Sequence, residues 1–146
     1  MNNLKSGVPG IWQLESRIDT DSSGNREIDP ILGSDPLGIL CFSKDRFAAQ
    51  FMKRDRSESQ IAARSAQGAN NSSAVNGYDA YFGTYTVDEA TGTLSIRLDG
   101  AITPSNIGSR FERHIEVREN ELSIQLATTS TDGKPITRTL TFSRLP

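Results

Sequence analysis

Two arginines stand at positions where the alternation of side chains along a strand predicts an apolar residue. Arg113 shares a strand face with Phe111, and Arg138 shares one with Leu140. The planar guanidinium group binds carboxylates, phenolates and enolates through paired hydrogen bonds. Because an unpaired buried charge is costly, we expect each arginine to contact an anionic ligand, to pair with a protein carboxylate such as Asp99, or to reach water at the rim of the fold.

A tyrosine and a glutamine could complete such a site. Tyr81 and Tyr85 share a face with Val87, so Tyr81 could donate a hydrogen bond or a proton to a ligand, or serve as an amphipathic residue of the core. Gln50 lies in a segment whose two faces are both apolar, and it could orient a ligand or face the solvent. The expected catalytic residues are Arg113, Arg138 and Tyr81, and the expected ligand contacts are Tyr85, Gln50, Phe111, Ile115, Leu98 and Ile18.

The familiar catalytic clusters of metalloenzymes and nucleophilic enzymes are not apparent in the sequence. His114, the only histidine, belongs to an alternating charged set that runs from Arg110 to Arg118 and predicts a solvated outer face. Cys41, the only cysteine, has no matched histidine partner for thiol catalysis. The sequence contains no ligand spacing typical of zinc and no glycine-rich phosphate loop. We therefore expect no metal and no cofactor.

The elements that position these residues are predicted to be β-strands throughout. The cleanest alternation places Leu94, Ile96 and Leu98 on one face of a strand and polar residues on the other. The eight predicted strands span residues 11–20, 37–43, 47–53, 78–87, 94–99, 110–118, 121–128 and 136–144. Eight strands without a long helical pattern predict an all-β fold, an eight-stranded antiparallel up-and-down barrel.

The connections between the strands alternate between tight turns and long loops. Because alternate loops of an up-and-down barrel lie at the same end, the four longer loops are expected to surround one open mouth. The longest is 54–77, in which Ser57 followed by Gln60 forms a capping-box pattern before an alanine-rich stretch. We expect a short helix in this loop over the open end, acting either as a lid or as a solvated linker.

The two ends of the chain predict how the opposite end of the barrel is closed. Gly10-Ile11-Trp12 opens the first strand, and Arg144 lies in the last one. An indole that fills the narrow end of a barrel can be covered by a guanidinium group lying across its face. This pair of ends resembles the way in which calycin barrels close their floor, and the resemblance implies a floor built from Trp12 and Arg144.

Five segments carry a resemblance to a known family. They are Gly10 to Trp12, Asp35 to Gly38, Phe47 to Met52, Tyr81 to Val87 and Leu140 to Arg144. On these segments the whole chain resembles the bacterial and fungal lipocalin-like domain family, a branch of the calycins. The resemblance implies an eight-stranded barrel around a ligand pocket and prescribes no catalytic residues. Some lipocalin-like barrels of natural-product pathways act as cofactor-free cyclases, so the resemblance implies such an activity only as a fold-level analogy.

Composition limits the partners and the compartment. The 146 residues fit one domain, with residues 1–9 as an amino-terminal arm. A net charge of -2 argues against a nucleic-acid surface, and the longest apolar run, Leu37 to Phe42, is too short to span a membrane. No apolar signal segment follows Met1, and the single cysteine fits a reducing compartment. We therefore expect a cytoplasmic protein without nucleic-acid or membrane partners.

Two functions remain open on the sequence alone. The first is a cofactor-free cyclase or isomerase that holds a hydrophobic natural-product-like intermediate inside the barrel. The second is a non-catalytic intracellular binding protein for a small hydrophobic anion. Both predict a small hydrophobic ligand with an anionic or enolisable group, and both leave open whether two copies associate as a homodimer.

Overall fold

A computed structural model describes residues 4–56, 75–130 and 132–146 of the chain. Within these ranges the regular elements are almost all β-strands. The strands are β1 Gly10–Asp21, β2 Arg26–Glu27, β3 Leu37–Phe42, β4 Arg46–Met52, β5 Tyr78–Asp88, β6 Thr93–Ala101, β7 Arg110–Arg118, β8 Glu121–Thr129 and β9 Pro135–Arg144. A one-turn helix, α1 Leu4–Gly7, precedes them, and a short 3-10 turn, Pro104–Asn106, lies between β6 and β7. Neither helical segment has the length and apolar composition needed to cross a membrane.

The strands close into a barrel. Each long strand pairs antiparallel with the next long strand along the chain, and β1 also pairs with β9. This last pairing joins the two edges of the sheet, which confirms the predicted eight-stranded antiparallel fold. All eight predicted strands are present, with ends within two residues of the expected bounds. The short β2, which the alternation does not predict, extends the mouth end of β1 through the pairs Asp19↔Glu27 and Thr20↔Arg26.

The alternation along the strands separates the interior of the barrel from its surface. Leu94, Ile96 and Leu98 of β6 are buried. The charged face of β7 is exposed, and His114 lies on it as expected. The buried apolar core takes side chains from each of the eight long strands. The two faces of the sheet therefore lie as the sequence predicts wherever the alternation is regular.

Trp12 and Arg144 close one end of the barrel. Trp12 is fully buried, and its indole N–H donates a hydrogen bond of 2.9 Å to the carbonyl oxygen of Val8. The guanidinium carbon of Arg144 lies 4.2 Å from the centroid of the indole ring. The same guanidinium group donates to the carbonyl oxygens of Pro9 and Gly7 at 2.9 and 2.7 Å. The predicted floor is confirmed, and the segment before β1 is anchored to it.

A β-bulge in β1 reverses the alternation of that strand. The register between β1 and β9 shifts at Glu15, which is an extra residue on β1. Beyond the bulge every side chain of β1 points to the opposite side from the one expected. Ile18, expected to contact a ligand, is 38% exposed on the outer surface, so its predicted inward position is wrong. Arg17 and Asp19 take the inward positions instead, and both are buried.

The loop between β2 and β3 bends into the open end of the barrel. Leu32 in this loop is 1% exposed and packs with the core. Asp29 shapes the loop, because its Oδ1 accepts a hydrogen bond from the N–H of Ile31 and its carbonyl oxygen accepts one from the N–H of Gly33. An ordered segment therefore covers part of the mouth.

The lid expected in loop 54–77 falls on a segment of which only the ends are described. The helix predicted to begin after Ser57 lies outside the described residues. At the described ends, Arg56 donates from Nε to the carbonyl oxygen of Asn76 at 3.0 Å. This contact joins the segment after β4 to the segment before β5.

Candidate functional site

A cavity of about 150 Å³ occupies the mouth half of the barrel, and we call it the upper chamber. Half of its lining residues are polar and half are apolar, an arrangement suited to an amphiphilic small molecule. The polar ones are Arg17, Asp79, Tyr81, Asn106, Arg113, Thr128 and Arg138, and the apolar ones are Leu32, Phe51, Ile96, Leu98, Phe111, Leu126 and Leu140. Leu32 belongs to the loop that bends into the mouth, so this loop forms part of the chamber wall.

A smaller cavity of about 50 Å³ lies nearer the floor, and we call it the lower chamber. Six residues line both chambers, namely Phe51, Tyr81, Ile96, Arg113, Leu126 and Leu140. The residues that line only the lower chamber are Leu40, Phe42, Phe47, Leu94, Ile124 and Phe142, all of them apolar. The two chambers therefore adjoin each other along these six shared side chains.

Two arginines of the upper chamber are paired with carboxylates. Arg138 donates from Nε and Nη2 to the two carboxylate oxygens of Asp19 at 2.8 and 3.0 Å. Arg17 donates from Nη1 to Oδ2 of Asp29 at 2.9 Å. Burial, followed by the nearby Arg138, lowers the pKa of Arg17, whereas the two carboxylates act in the opposite direction. The positive charges of both arginines are therefore compensated within the protein.

The third arginine, Arg113, has a different environment. Its Nη1 donates to the carbonyl oxygen of Glu112 at 3.0 Å, and its guanidinium carbon lies 4.9 Å from the centroid of the Phe111 ring. No carboxylate among residues 4–56, 75–130 and 132–146 forms an ion pair with it. Burial lowers the pKa of Arg113, yet arginine stays charged at neutral pH. Arg113 therefore presents a positive charge to the cavity that no described carboxylate compensates.

Tyr81 lines both chambers beside this charge. Its ring contacts the rings of Phe47 and Phe51, with centroid distances of 5.9 and 6.4 Å. Desolvation, followed by the nearby Asp79 carboxylate, raises the pKa of Tyr81 to about 12, although Arg113 acts in the opposite direction. The hydroxyl is therefore protonated at neutral pH and can donate a hydrogen bond into the cavity.

The structure brings five of the predicted site residues together around the upper chamber. They are Arg113, Arg138, Tyr81, Phe111 and Leu98, each on the interior face that the alternation predicts. Of the alternatives open for Arg138, the structure shows the pairing with a protein carboxylate. Its partner is Asp19 of the neighbouring strand, whereas Asp99 is exposed on the outer face of β6.

Four predicted ligand contacts, Tyr85, Ile115, Gln50 and Ile18, line neither chamber. Tyr85 and Ile115 are buried, but they belong to the core nearer the floor, where the Tyr85 hydroxyl donates to a backbone oxygen of the β3–β4 turn. Gln50 is exposed on the outer face of β4, because the adjacent Phe51 faces inward. Ile18 faces outward because of the bulge in β1.

Sequence reasoning misses four buried charged side chains near the cavity, namely Arg17, Asp19, Asp29 and Asp79. Two of them are hidden by the bulge in β1, and one lies in a loop whose side chains follow no alternation. Asp79 shares its strand face with Tyr81, and this shared parity is the signal that could have revealed it. The missed residues explain why two of the arginines are not free for a ligand.

The groups that line the cavity act through charge and hydrogen bonding. Within the described parts of the chain, no three histidine, cysteine, aspartate or glutamate side chains lie close enough to hold a metal ion. The upper chamber offers guanidinium, carboxylate and phenol groups. Such a set can bind an anion and can hold or return a proton at a fixed oxygen.

Comparison with known proteins places the chain in a family. No curated protein sequence matches it. The lipocalin-like domain family matches residues 9–145, a span that includes every strand from β1 to β9. The lipocalin-like barrel with its interior cavity suggests the binding of a small molecule. With a match over nearly its whole length, the chain belongs to the lipocalin-like domain family.

Proposed function

We propose that the protein binds a small organic anion inside the barrel, with Arg113 as its counter-ion. The observation that supports this proposal is the contrast among the three arginines of the upper chamber. Arg17 and Arg138 each contact a buried aspartate, whereas Arg113 has no such partner among the residues that the structure describes. A carboxylate, phenolate or enolate at Arg113 would compensate the charge and accept charge-assisted hydrogen bonds.

Tyr81 supplies a second recognition group. It lines the same two chambers as Arg113, and its pKa of about 12 keeps the hydroxyl protonated at neutral pH. An anion between the two side chains would accept hydrogen bonds from both of them. A cationic group between these two side chains would instead add a second positive charge beside Arg113, which disfavours a cation at this position.

The size of the upper chamber limits the ligand. An engineered apolar cavity of about 150 Å³ in another protein binds benzene, and the upper chamber has about the same volume. The part of the ligand that lies in this chamber is therefore of the size of a single six-membered ring or a branched chain of similar volume. Benzoate, a single ring with a carboxylate, is a suitable probe.

A cofactor-free cyclase or isomerase is the second candidate function. It is favoured by the Asp79 carboxylate and the Tyr81 hydroxyl, which line the upper chamber together with Arg113. In the isomerisation of a β,γ-unsaturated carbonyl compound, Asp79 would take a proton from the α-carbon while Arg113 and Tyr81 stabilise the dienolate oxygen, and Asp79 would then return the proton to the γ-carbon. Arg138 would have a structural part in this scheme, because Asp19 engages its guanidinium group.

Titration calorimetry with benzoate tests the binding function. Replacing Arg113 by Met removes the counter-ion, so benzoate is expected to bind about 10- to 150-fold more weakly. Arg110→Met is the matched control, because Arg110 lies on the same strand but is exposed on the outer face. It should leave the affinity unchanged. Equal affinity of folded Arg113→Met and wild-type protein would contradict the proposal.

Proton exchange tests the catalytic alternative separately. In deuterated water, 2-oxobutanoate exchanges its C3 protons when it enolises, and proton NMR measures the rate. An enzyme of this kind accelerates the exchange above the buffer rate, and Asp79→Asn abolishes the acceleration. If the wild-type protein binds this keto acid and leaves the rate at the buffer value, binding without catalysis is the function.

A further inference from the structure

We infer that the lower chamber is a subsite for a short alkyl substituent, and that the ligand is an organic acid carrying such a group of about two carbon atoms. The inference rests on the proposed function, because it takes the acid group to lie against Arg113. It adds a second group of the ligand, the alkyl substituent, and the orientation of the ligand in the barrel.

The lower chamber has the lining of a hydrocarbon site. The six residues that line it alone, Leu40, Phe42, Phe47, Leu94, Ile124 and Phe142, are apolar, and each is less than 8% exposed. On this floor side the described lining of the chamber offers no polar side chain to a water molecule, since the two polar residues of the chamber, Tyr81 and Arg113, are shared with the upper chamber. An alkyl group that reaches this floor side gains dispersion contacts with the six apolar side chains.

Aromatic contacts hold the walls of this chamber. The ring of Phe47 meets the ring of Tyr81 edge to face at 64°, with 5.9 Å between centroids. The rings of Phe51 and Phe142 lie 6.5 Å apart at 57°. Close-packed interiors resist changes in volume of even one methylene group. The chamber is therefore expected to select its occupant by size.

The position of Arg113 sets the direction of the ligand. Arg113 lines both chambers, but its guanidinium group lies over the ring of Phe111, which lines the upper chamber and not the lower one. Phe111 is two residues closer to the mouth on β7, so the charged end of Arg113 is turned toward the mouth and its alkyl stem borders the lower chamber. An acid held by the guanidinium group lies in the upper chamber, and the alkyl substituent points to the floor.

The volume of the lower chamber sets the length of the substituent. A cavity of about 150 Å³ accepts the six carbon atoms of benzene, and the lower chamber has about a third of that volume. It therefore holds about two carbon atoms, the size of an ethyl group. A longer chain would have to push aside buried aromatic side chains, which overpacked cores resist.

A series of 4-alkylbenzoates tests the inference on the full chain. Calorimetry compares benzoate with its 4-methyl, 4-ethyl, 4-propyl and 4-butyl derivatives. Each carbon buried in an apolar site raises the affinity about fourfold. The affinity is therefore expected to rise to 4-ethylbenzoate and to fall again at 4-butylbenzoate.

Two variants on β6 test whether the preference for 4-ethylbenzoate arises in the lower chamber. Leu94→Phe fills the lower chamber, and it should remove the preference for 4-ethylbenzoate over benzoate while leaving the affinity for benzoate unchanged. Leu98→Phe makes the same change on the same face of β6, but Leu98 lines only the upper chamber. This variant should weaken both ligands and keep the ratio of their affinities.

The outcomes separate this inference from the proposed function. If benzoate binding depends on Arg113 but all the alkylbenzoates bind with equal affinity, the alkyl subsite is contradicted and the anion site is supported. If benzoate does not bind to wild-type protein, the proposed function is contradicted. The binding of xenon in the lower chamber then tests the alkyl subsite separately. In xenon-saturated solution, NMR shifts of the Leu94 and Ile124 methyl groups support it, and unshifted methyl signals overturn it. The xenon measurement needs no variant, so it also applies if Leu94→Phe does not fold.

Discussion

Arg138 and Asp19 lie directly opposite each other where β9 meets β1, and their side chains form two hydrogen bonds of 2.8 and 3.0 Å. The pair is buried on the interior face of the barrel. It links the first and last long strands by side chains in addition to the backbone ladder. It also compensates the charge of one cavity arginine, which is why the proposed anion site is assigned to Arg113.

Replacing Arg138 by Met is expected to lower the free energy of unfolding by about 3–5 kcal/mol, because Asp19 is left buried without its counter-ion. Urea unfolding measures this loss. Adding Asp19→Leu to the same chain should restore most of it, because neither charge then remains. Lys134→Met breaks the exposed pair with Glu27 and should change stability little. An Arg138→Met variant as stable as wild type would contradict the buried pair.

Replacing Trp12 by Ala is expected to lower the free energy of unfolding by about 3–5 kcal/mol, the usual cost of emptying a large buried aromatic site. The indole is fully buried and lies under Arg144. Ile11→Ala is the control, because the neighbouring Ile11 is 45% exposed. Chemical unfolding of the two variants provides the comparison. Equal stabilities would show that the indole does not form the floor.

Replacing Asp29 by Ala is expected to loosen the loop that covers the mouth. Asp29 holds Arg17 and accepts the N–H of Ile31 through its carboxylate, so its loss frees that amide. Native-state hydrogen exchange should show the Ile31 amide exchanging about tenfold faster. Asp35→Ala is the control, because Asp35 pairs with Arg54 on the surface. Unchanged exchange at Ile31 would show that the loop is held by other contacts.

Alkaline titration tests the environment of Tyr81. Its pKa rises from about 10 in the unfolded chain to about 12 in the barrel. Between these values the unfolded chain has lost the proton that the folded chain keeps, so raising the pH through this window lowers the stability contributed by Tyr81. The tyrosinate absorbance is measured against pH for wild type and for Tyr81→Phe, and the difference between them belongs to Tyr81. This difference should appear near pH 12. Its appearance near pH 10 would mean that the hydroxyl is in contact with water.

Much of the fold is predictable because every strand of a closed barrel has one face on the core and one in solvent. The bounds of β7 are predicted to the residue, and its charged outer face is exposed. The same regular alternation places Arg113 and Phe111 on one side of the barrel, where they line the upper chamber. The positions of Arg113 and Phe111 in the site therefore follow from the alternation of side chains along a β-strand, which repeats every two residues.

The other half of the site depends on features that break this period. The bulge at Glu15 exchanges the two faces of β1, so a strict alternation assigns Ile18 inward and hides Arg17 and Asp19. Nothing in the local sequence marks the bulge, because its hydrogen bonds are made with a strand far along the chain. The inward turn of Asp29 likewise depends on a partner, Arg17, whose own direction is reversed by the bulge.

A crystal structure of the protein with 4-ethylbenzoate tests the central claim most directly. The account predicts the carboxylate in the upper chamber, with an oxygen about 3 Å from a guanidinium nitrogen of Arg113. It also predicts that Asp19 and Asp29 keep their arginines, so that the anion adds a contact without displacing a pair. A carboxylate bound on the outer surface, or one inside the barrel that leaves Arg113 without contact, would contradict the assignment.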